Sequence, residues 1–574
     1  MYRGKGDPKH TSYLNKQDGF STSGTILFYV DGIKESQGIG YNKTSRIVGP
    51  GEIELSITSE SVTLLIDLES RTLVPHFAEI DYLDEERPLV IVQAAKSLEH
   101  NKRYAVALVD AADLDGNKLK PSEYLIRLLD EDDSRTLPEK ERRRGSYYQN
   151  TILPHLYNAA PWLGDDSTIQ ILFDFHTASV DGQLGNTRKI VEGSVNVVTD
   201  EHWGGWGDHN VRVLDVINDD MCLENGNDVG KIVHAEIDVP SFLMGSNGRE
   251  KMLNMDDIRR GYTTNTSPFK IVIVIPCSLT RGTMPLRAVV DYGHGFLYSR
   301  KELLDTIFLH KLANREGYIM LASNWRGMCH LDLGLIIRAF VAEPNLLESL
   351  QANIMQGYGF KAAIQHFVRT HLLSMDFMNV QLGEEDADNV RFLFYGISQG
   401  GILGSAYTSL MSHSGILDGS IVSSSGTPLS LLMSRSTVFK AYQALLLMSL
   451  HNNRQVRIFV SFLQMTFDAI DGPMVGLAGK EDRFHDGEFK TLIQAGIGDP
   501  VVTTIGTGKT CANRDAFKDV VILLVRVAPS GYYTHMTMNL LNSRLSFHYK
   551  KQWHEITTHQ YFQAIQRKFM ESHQ

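Results

Sequence analysis

Ser398 lies in Gly396-Ile-Ser-Gln-Gly400, between the apolar run Val390–Tyr395 and the small-residue stretch Gly401-Ile-Leu-Gly-Ser-Ala406. A serine flanked by glycines after a strand and before a helix reads as a sharp turn that exposes its hydroxyl at a sheet edge. The glycines remove side chains that would crowd the crossing backbone. A serine so placed can attack a carbonyl carbon. To do so it needs a base for its proton, an acid to orient that base, and donors for the oxyanion that forms.

The remainder of the chain supplies candidates for each role. Val289-Val-Asp-Tyr-Gly-His-Gly295-Phe-Leu297 puts a Gly-His-Gly turn directly after a strand. The oxyanion donors expected from this arrangement are the backbone N–H groups of Phe296 and of Gln399, the residue after the nucleophile. His294 precedes the serine in the chain and is expected to pack the turn. The order nucleophile, acid, base directs the search downstream of Ser398. Asp499 lies 101 residues on, in Gly498-Asp-Pro-Val501 just past an apolar run, and is the expected acid; Asp468 is the alternative. His535, His548, His554 and His559 all follow Asp499. Tyr561–Phe569 has apolar residues near helical spacing, and His554 lies on the loop side of it, so His554 is the expected base. His559, His548 and His535 stay open.

Other motifs reduce to turns and faces. Asp113-Leu-Asp-Gly-Asn-Lys118 lacks the glycine and ligand spacing of a calcium loop and reads as a turn. Gly506-Thr-Gly-Lys-Thr510 has Thr503 where a phosphate loop needs its first glycine. The tract Glu139–Arg144 reads as a solvated helix face, and the tryptophans of Trp203–Gly207 as loop packing. No C-x-x-C pair links the four cysteines Cys222, Cys277, Cys329 and Cys511. No metal site or cofactor is expected, and one or two disulfides are allowed.

These groups must be held by a scaffold. Beyond about residue 266, apolar runs alternate with helical patterns, the signature of a parallel sheet with crossovers. Strands are expected at Ile271–Pro276, Leu286–Tyr292, Tyr318–Ser323, Val390–Tyr395, Gly419–Ser423, Thr491–Ala495 and Val520–Val527. Helices are expected over about 300–314, 345–373, 400–413, 428–450 and 559–571. Residues 1–140 read as a β-sandwich-like module with strands at Gly24–Val30, Gly51–Ile57, Val62–Leu68, Leu89–Gln93 and Tyr104–Val109. Residues 141–265 read as a linker helix followed by a second β-rich region, with strands at Ile169–Phe175, Ser194–Val198, Asn210–Val216 and Lys231–Val239. A chain of 574 residues exceeds one compact core, so several domains are expected.

Composition narrows the function classes. The net charge is −11 with both signs interspersed, which argues against nucleic acid as a partner. Apolar runs such as Ile271–Pro276 and Val520–Val525 are far short of a membrane span, leaving only peripheral lipid contact. The start, Met1-Tyr-Arg-Gly-Lys-Gly-Asp-Pro8, has no apolar core of the kind a signal peptide needs.

In its ordered motifs the chain resembles the large exported bacterial serine hydrolases related to virulence-factor lipases. The likeness runs through Leu14–Thr22, Phe173–Ser179, Tyr292–Gly295, Ser323–Met328, Tyr395–Gly401, Leu463–Asp468 and Gly496–Val501. The resemblance implies β-rich N-terminal modules before an α/β-hydrolase domain over 266–574, a mostly parallel sheet with helices on both faces. It further implies an exported esterase or lipase that needs neither metal nor organic cofactor and acts on small-molecule or lipid esters.

Overall fold

The computed structural model describes residues 17–30, 46–81, 84, 88–113, 116–164, 166–199, 210–218, 222, 228–245, 248–378, 389–412, 414–471, 490–497, 520–527 and 533–539. Its contacts divide the chain into two units, Met1–Gln183 with Phe439–Asp468, and Leu184–Val438 with Ala469–Gln574. Residues 439–468, expected inside the 266–574 domain, thus group with the first unit.

Among its described residues the first unit holds seven strands: β1 Ile26–Tyr29, β2 Thr63–Asp67, β3 Thr72–Leu73, β4 His76–Asp81, β5 Leu89–Ala94, β6 Arg103–Val109 and β7 Ile169–His176. They form two antiparallel sheets, β1-β5-β4 and β3-β2-β6-β7. Alternation along the strands separates two cores. Leu65, Val106 and Leu108 of one sheet pack with Val90, Val92 and Ala78 of the other. Leu64, Ile66, Ala105 and Ala107 face away and pack with Leu125, Leu128 and Leu156 from helices. Gly51–Ile57, expected as a strand, contains a 3-10 turn at Ile53–Ile57 with Ser56 Oγ bonded back to Ile53 O at 2.6 Å; a local side-chain bond of that kind competes with sheet pairing. The helices Lys440–Leu450 and Asn453–Phe467 complete this unit. Ser461 Oγ donates to Thr25 O at 2.7 Å and Arg457 pairs with Asp81.

The second unit is α/β. Its strands are β8 Val211–Asn218, β9 Val229–Pro240, β10 Leu243–Met244, β11 Met252–Leu253, β12 Thr266–Pro276, β13 Ala288–Gly293, β14 Tyr318–Ser323, β15 Arg391–Ile397, β16 Gly419–Ser423, β17 Lys490–Ile497, β18 Val520–Val527 and β19 Tyr533–Asn539. Ten of them form one sheet in the order β19-β18-β17-β16-β15-β13-β14-β12-β9-β8. The six strands from β14 to β18 run parallel, and the strands beyond them at both ends are antiparallel. The central strands are apolar on both faces because both are covered. On one face Ile271, Ile273, Val289, Ile319 and Leu321 pack against Phe360, Ile364, Phe367 and Val368 of the helix Leu346–Thr370. On the other, Val272, Val274, Val290 and Met320 pack against Leu309, Leu312 and Ala313 of the helix Ile307–Glu316. Burying one such side chain contributes about 1.5–3 kcal/mol.

Ser194–Val198, expected as a strand, belongs to the helix Val180–Thr199. Leu184, Thr187, Ile190, Val191, Ser194, Val197 and Val198 are buried at helical spacing, so tertiary burial overrides the β preference of the valines. Cys222 and Cys277 form a disulfide with Cα atoms 5.8 Å apart. Cys329 is a buried free thiol whose pKa burial pushes up to about 12. Cys511, Trp203–Gly207 and Gly506–Thr510 lie outside the described residues. No described helix is long and apolar enough to cross a membrane.

Candidate active site

The strand order reverses between β14 and β15. After β13 the chain builds β14 on one side, then crosses over to build β15 on the other. The crevice outside the carboxyl ends of strands at such a switch point is where open α/β sheets bind ligands. Gly293 and Gly396, the last or near-last residues of β13 and β15, are register partners there.

Ser398 stands between β15 and the helix Gln399–Met411, half-buried, with φ 54° and ψ −121°. That backbone is the glycine-dominated first central position of a II′ turn, and holding a serine in it costs about 1–3 kcal/mol. The surroundings fix it. The Ser398 N–H donates to Ser423 O at 3.0 Å, and its carbonyl accepts from Ile402 N–H at 2.9 Å. A Cβ on Gly400 would collide with the Gly293 carbonyl, and one on Gly396 with the Gly400 carbonyl. The flanking glycines therefore let the first turn of the helix cross β13 at backbone contact. As the helix's first residue, Gln399 has no carbonyl one turn behind it for its N–H.

The loop after β13 is braced against three partners, Glu302, Trp325 and Gln399. The Gly295 N–H donates to Glu302 Oε2 at 2.6 Å. His294 Nε2 accepts the Trp325 N–H at 2.9 Å, so Nδ1 carries the proton and donates to Gly295 O at 2.9 Å. Leu297, at φ 49°, donates its N–H to Gln399 Oε1 at 3.0 Å. Gln399 Nε2 then donates to Met328 O at 2.7 Å. Burial pulls the His294 pKa down to about 3. A neutral ring with both nitrogens engaged serves the turn and has no lone pair for a serine proton.

Beneath this loop, Asp291 of β13 and Lys361 of the helix Leu346–Thr370 form a buried pair, with Nζ 3.0 Å from both carboxylate oxygens. Nζ also lies 4.6 Å from the Trp325 ring centroid. Burial pushes Asp291 up and Lys361 down, and each partner opposes the shift of the other. Removing one partner strands a buried charge. Lys361→Met is expected to lower unfolding free energy by about 3–5 kcal/mol, whereas Lys361→Met with Asp291→Leu recovers most of that loss. Urea denaturation of both variants measures it, and a single variant within 1 kcal/mol of the parent, by the same scale, would contradict the pair's role.

Of the residues expected to carry chemistry, the structure brings Ser398, Gln399 and the loop of Phe296 to one sheet edge. Asp499, His554, His559 and His548 lie outside the described residues. The backbone of His535 lies in β19, opposite Arg526 near the carboxyl end of β18. Asp468 is buried in the first unit and accepts from Ser21, Gln183 and Gln464. Sequence reasoning missed Glu302, the Gln399 side chain and the Asp291–Lys361 pair. A lone lysine in the apolar run Gly357–Ile364 was the only signal for the last.

No family model and no curated protein matches the chain. Among solved structures it is similar to acetyl xylan esterase 1 from Thermoanaerobacterium sp. JW/SL YS485, at 13% identity over 68% of this chain and 94% of that one, with a TM-score of 0.37. It is also similar to an acetyl xylan esterase from Paenibacillus sp. R4, at 13% identity over 63% and 88%, TM-score 0.34. An S-formylglutathione hydrolase from Agrobacterium tumefaciens matches at 11% identity over 55% and 90%, TM-score 0.29. Likeness at this level does not extend to activity.

Proposed function

We propose that the chain is a serine hydrolase of the α/β-hydrolase class that cleaves carboxylic esters through an acyl-enzyme. The observation that carries this reading is the strained backbone of Ser398 at the topological switch point, held by glycine contacts that leave no slack. In the proposed cycle Ser398 Oγ attacks the ester carbonyl while His554 takes its proton. The N–H groups of Phe296 and Gln399 hold the oxyanion. The alcohol leaves with the proton from His554, and a water activated by the same ring releases the acid. Asp499 orients the imidazole. β17 supports this assignment, since it runs parallel to β15 and ends two residues before Asp499. A specific observation favours His535 as the rival base: its backbone lies at the same edge, beside the end of β18. The Cys222–Cys277 disulfide supports an exported protein, because disulfides persist in oxidising compartments.

A serine-directed fluorophosphonate tests the proposal on the full chain. It should label the parent at Ser398, and a series of nitrophenyl esters should be turned over. A folded parent that neither labels nor hydrolyses any ester of the series would leave the hydrolase reading without support and favour a non-catalytic binding role. Thioester and peptide substrates in the same panel separate the ester hydrolase from thioesterase or peptidase chemistry.

Gln399 is expected to act as a positioning residue through its side chain. Gln399→Ala frees Leu297 and Met328 together and should lower kcat roughly 10-fold, with a smaller effect on KM. Gln399→Glu keeps the acceptor for the Leu297 N–H and should recover part of the loss. Equal kcat in the alanine variant and the parent would show that the loop holds itself.

A further inference from the structure

We propose that Arg326, Lys251 and Arg249 form a binding site for a phosphate-type dianion on the loop that follows β14. The inference does not depend on the hydrolase reading, because the site is defined by cations that no part of that mechanism uses.

Arg326 is only 8% exposed. Its Nε donates to Asn353 Oδ1 at 2.8 Å, and its guanidinium carbon lies 5.5 Å from the Phe360 ring centroid. Its terminal nitrogens have no hydrogen-bond or ion-pair partner among the described residues. Asn353 turns its other end to the hairpin of β10 and β11, where Nδ2 donates to Arg249 O at 2.7 Å. Lys251 follows on that hairpin; its carbonyl accepts from Ser349 Oγ at 2.9 Å, and its ammonium also has no partner among the described residues. One buried acid answers the three cations. Asp332 Oδ1 lies 3.1 Å from the Arg249 guanidinium, while Oδ2 accepts from the Cys329 N–H and thiol, both at 3.0 Å. Nearby Glu250 and Glu343 are both taken by Arg338. Counting all seven groups, four cations face three carboxylates, which leaves one uncompensated positive charge, and the head groups without an ion-pair partner among the described residues are those of Arg326 and Lys251.

The cations feel one another. Burial and then the charge of Arg249 pull Arg326 down to about 10. Burial and then Arg326 and Arg249 pull Lys251 below its ordinary value. Packing on Phe360 alone would be served by an uncharged side chain. Asp332 offsets part of the cost of burying Arg326, but its Oδ1 lies on Arg249; a buried guanidinium with no carboxylate of its own is costly, and an oxyanion would relieve that cost. The terminal guanidinium nitrogens offer a fork for two oxygens, and the lysine adds a mobile donor. The site's loop also touches the chemistry. Trp325 and Met328, on either side of Arg326, bond His294 and Gln399.

The test is calorimetric titration of the full chain with inorganic phosphate in chloride buffer, with acetate as the monoanion control. The parent should bind phosphate saturably at one site, and Ser398→Ala should bind equally well. Arg326→Met and Lys251→Met should each weaken binding roughly 10-fold or more. Circular dichroism checks both folds, and the less buried Lys251 keeps the test decisive should Arg326→Met unfold. Glycerol 3-phosphate binding more tightly than phosphate would place the dianion on an organic molecule, and weaker binding would make free phosphate the ligand. Absence of saturable binding in the folded parent, acetate competing as well as phosphate, or unchanged affinity in folded variants would each overturn the site.

Discussion

Ser398→Ala should abolish fluorophosphonate labelling and lower ester turnover by about 10⁴-fold or more, while far-ultraviolet circular dichroism stays that of the parent. The serine hydroxyl makes no helix-capping bond, so among the described residues its loss removes the proposed nucleophile without unmaking a helix cap. Ser398→Gly sharpens the test. Glycine adopts φ 54° and ψ −121° without a Cβ penalty, so this variant should be equally inactive yet more stable by about 1 kcal/mol, within the range stored in such backbone. A gain in stability with loss of turnover marks strain kept for chemistry. Parent-level turnover in either variant would remove Ser398 from the reaction, and an unchanged or lower unfolding midpoint in the glycine variant would remove the strain argument alone.

Asp499→Ala and His554→Ala should each cost roughly 10³-fold in kcat with modest change in KM, since in the proposed cycle His554 carries the proton and Asp499 orients it, and neither binds substrate. The four histidines His535, His548, His554 and His559 are best replaced one at a time under identical conditions. Loss confined to His535→Ala would move the base to the residue beside β18 and leave the reaction class standing. Active single variants at these four and at His573, the remaining histidine after Asp499, would end the triad mechanism.

The parts of this molecule that repeat a local pattern were legible before any coordinates. β14, β16 and β18 fall where their apolar runs predict; for β14 and β16 the reason is that a strand buried on both faces is simply a short apolar run between turn residues. The serine turn was legible for the same reason, since its glycines sit at positions where backbone meets backbone. Ser194–Val198 was misread because three valines within four residues, Val195, Val197 and Val198, carry a strand preference, and only burial on one stripe over 184–198 reveals the helix. The brace Leu297–Gln399–Met328 was invisible, as it joins three loops whose separation in sequence carries no periodicity. The Asp291–Lys361 pair needs the crossover of the helix Leu346–Thr370 over β13 before its two charges are neighbours at all.

The first unit's two pieces have a consequence for how the protein is made. Its sandwich strands are complete by His176, but Asp81, Thr25 and Ser21 find their partners on 453–468. The intervening 184–438 must leave the ribosome first, a delay of 255 residues (439 − 184). At about 5–20 residues per second that is roughly 13–50 seconds of synthesis. During that interval the nascent sandwich carries Asp81 without Arg457 and lacks both closing helices, so vectorial folding leaves an early, incompletely buried intermediate for chaperones or proteases to meet.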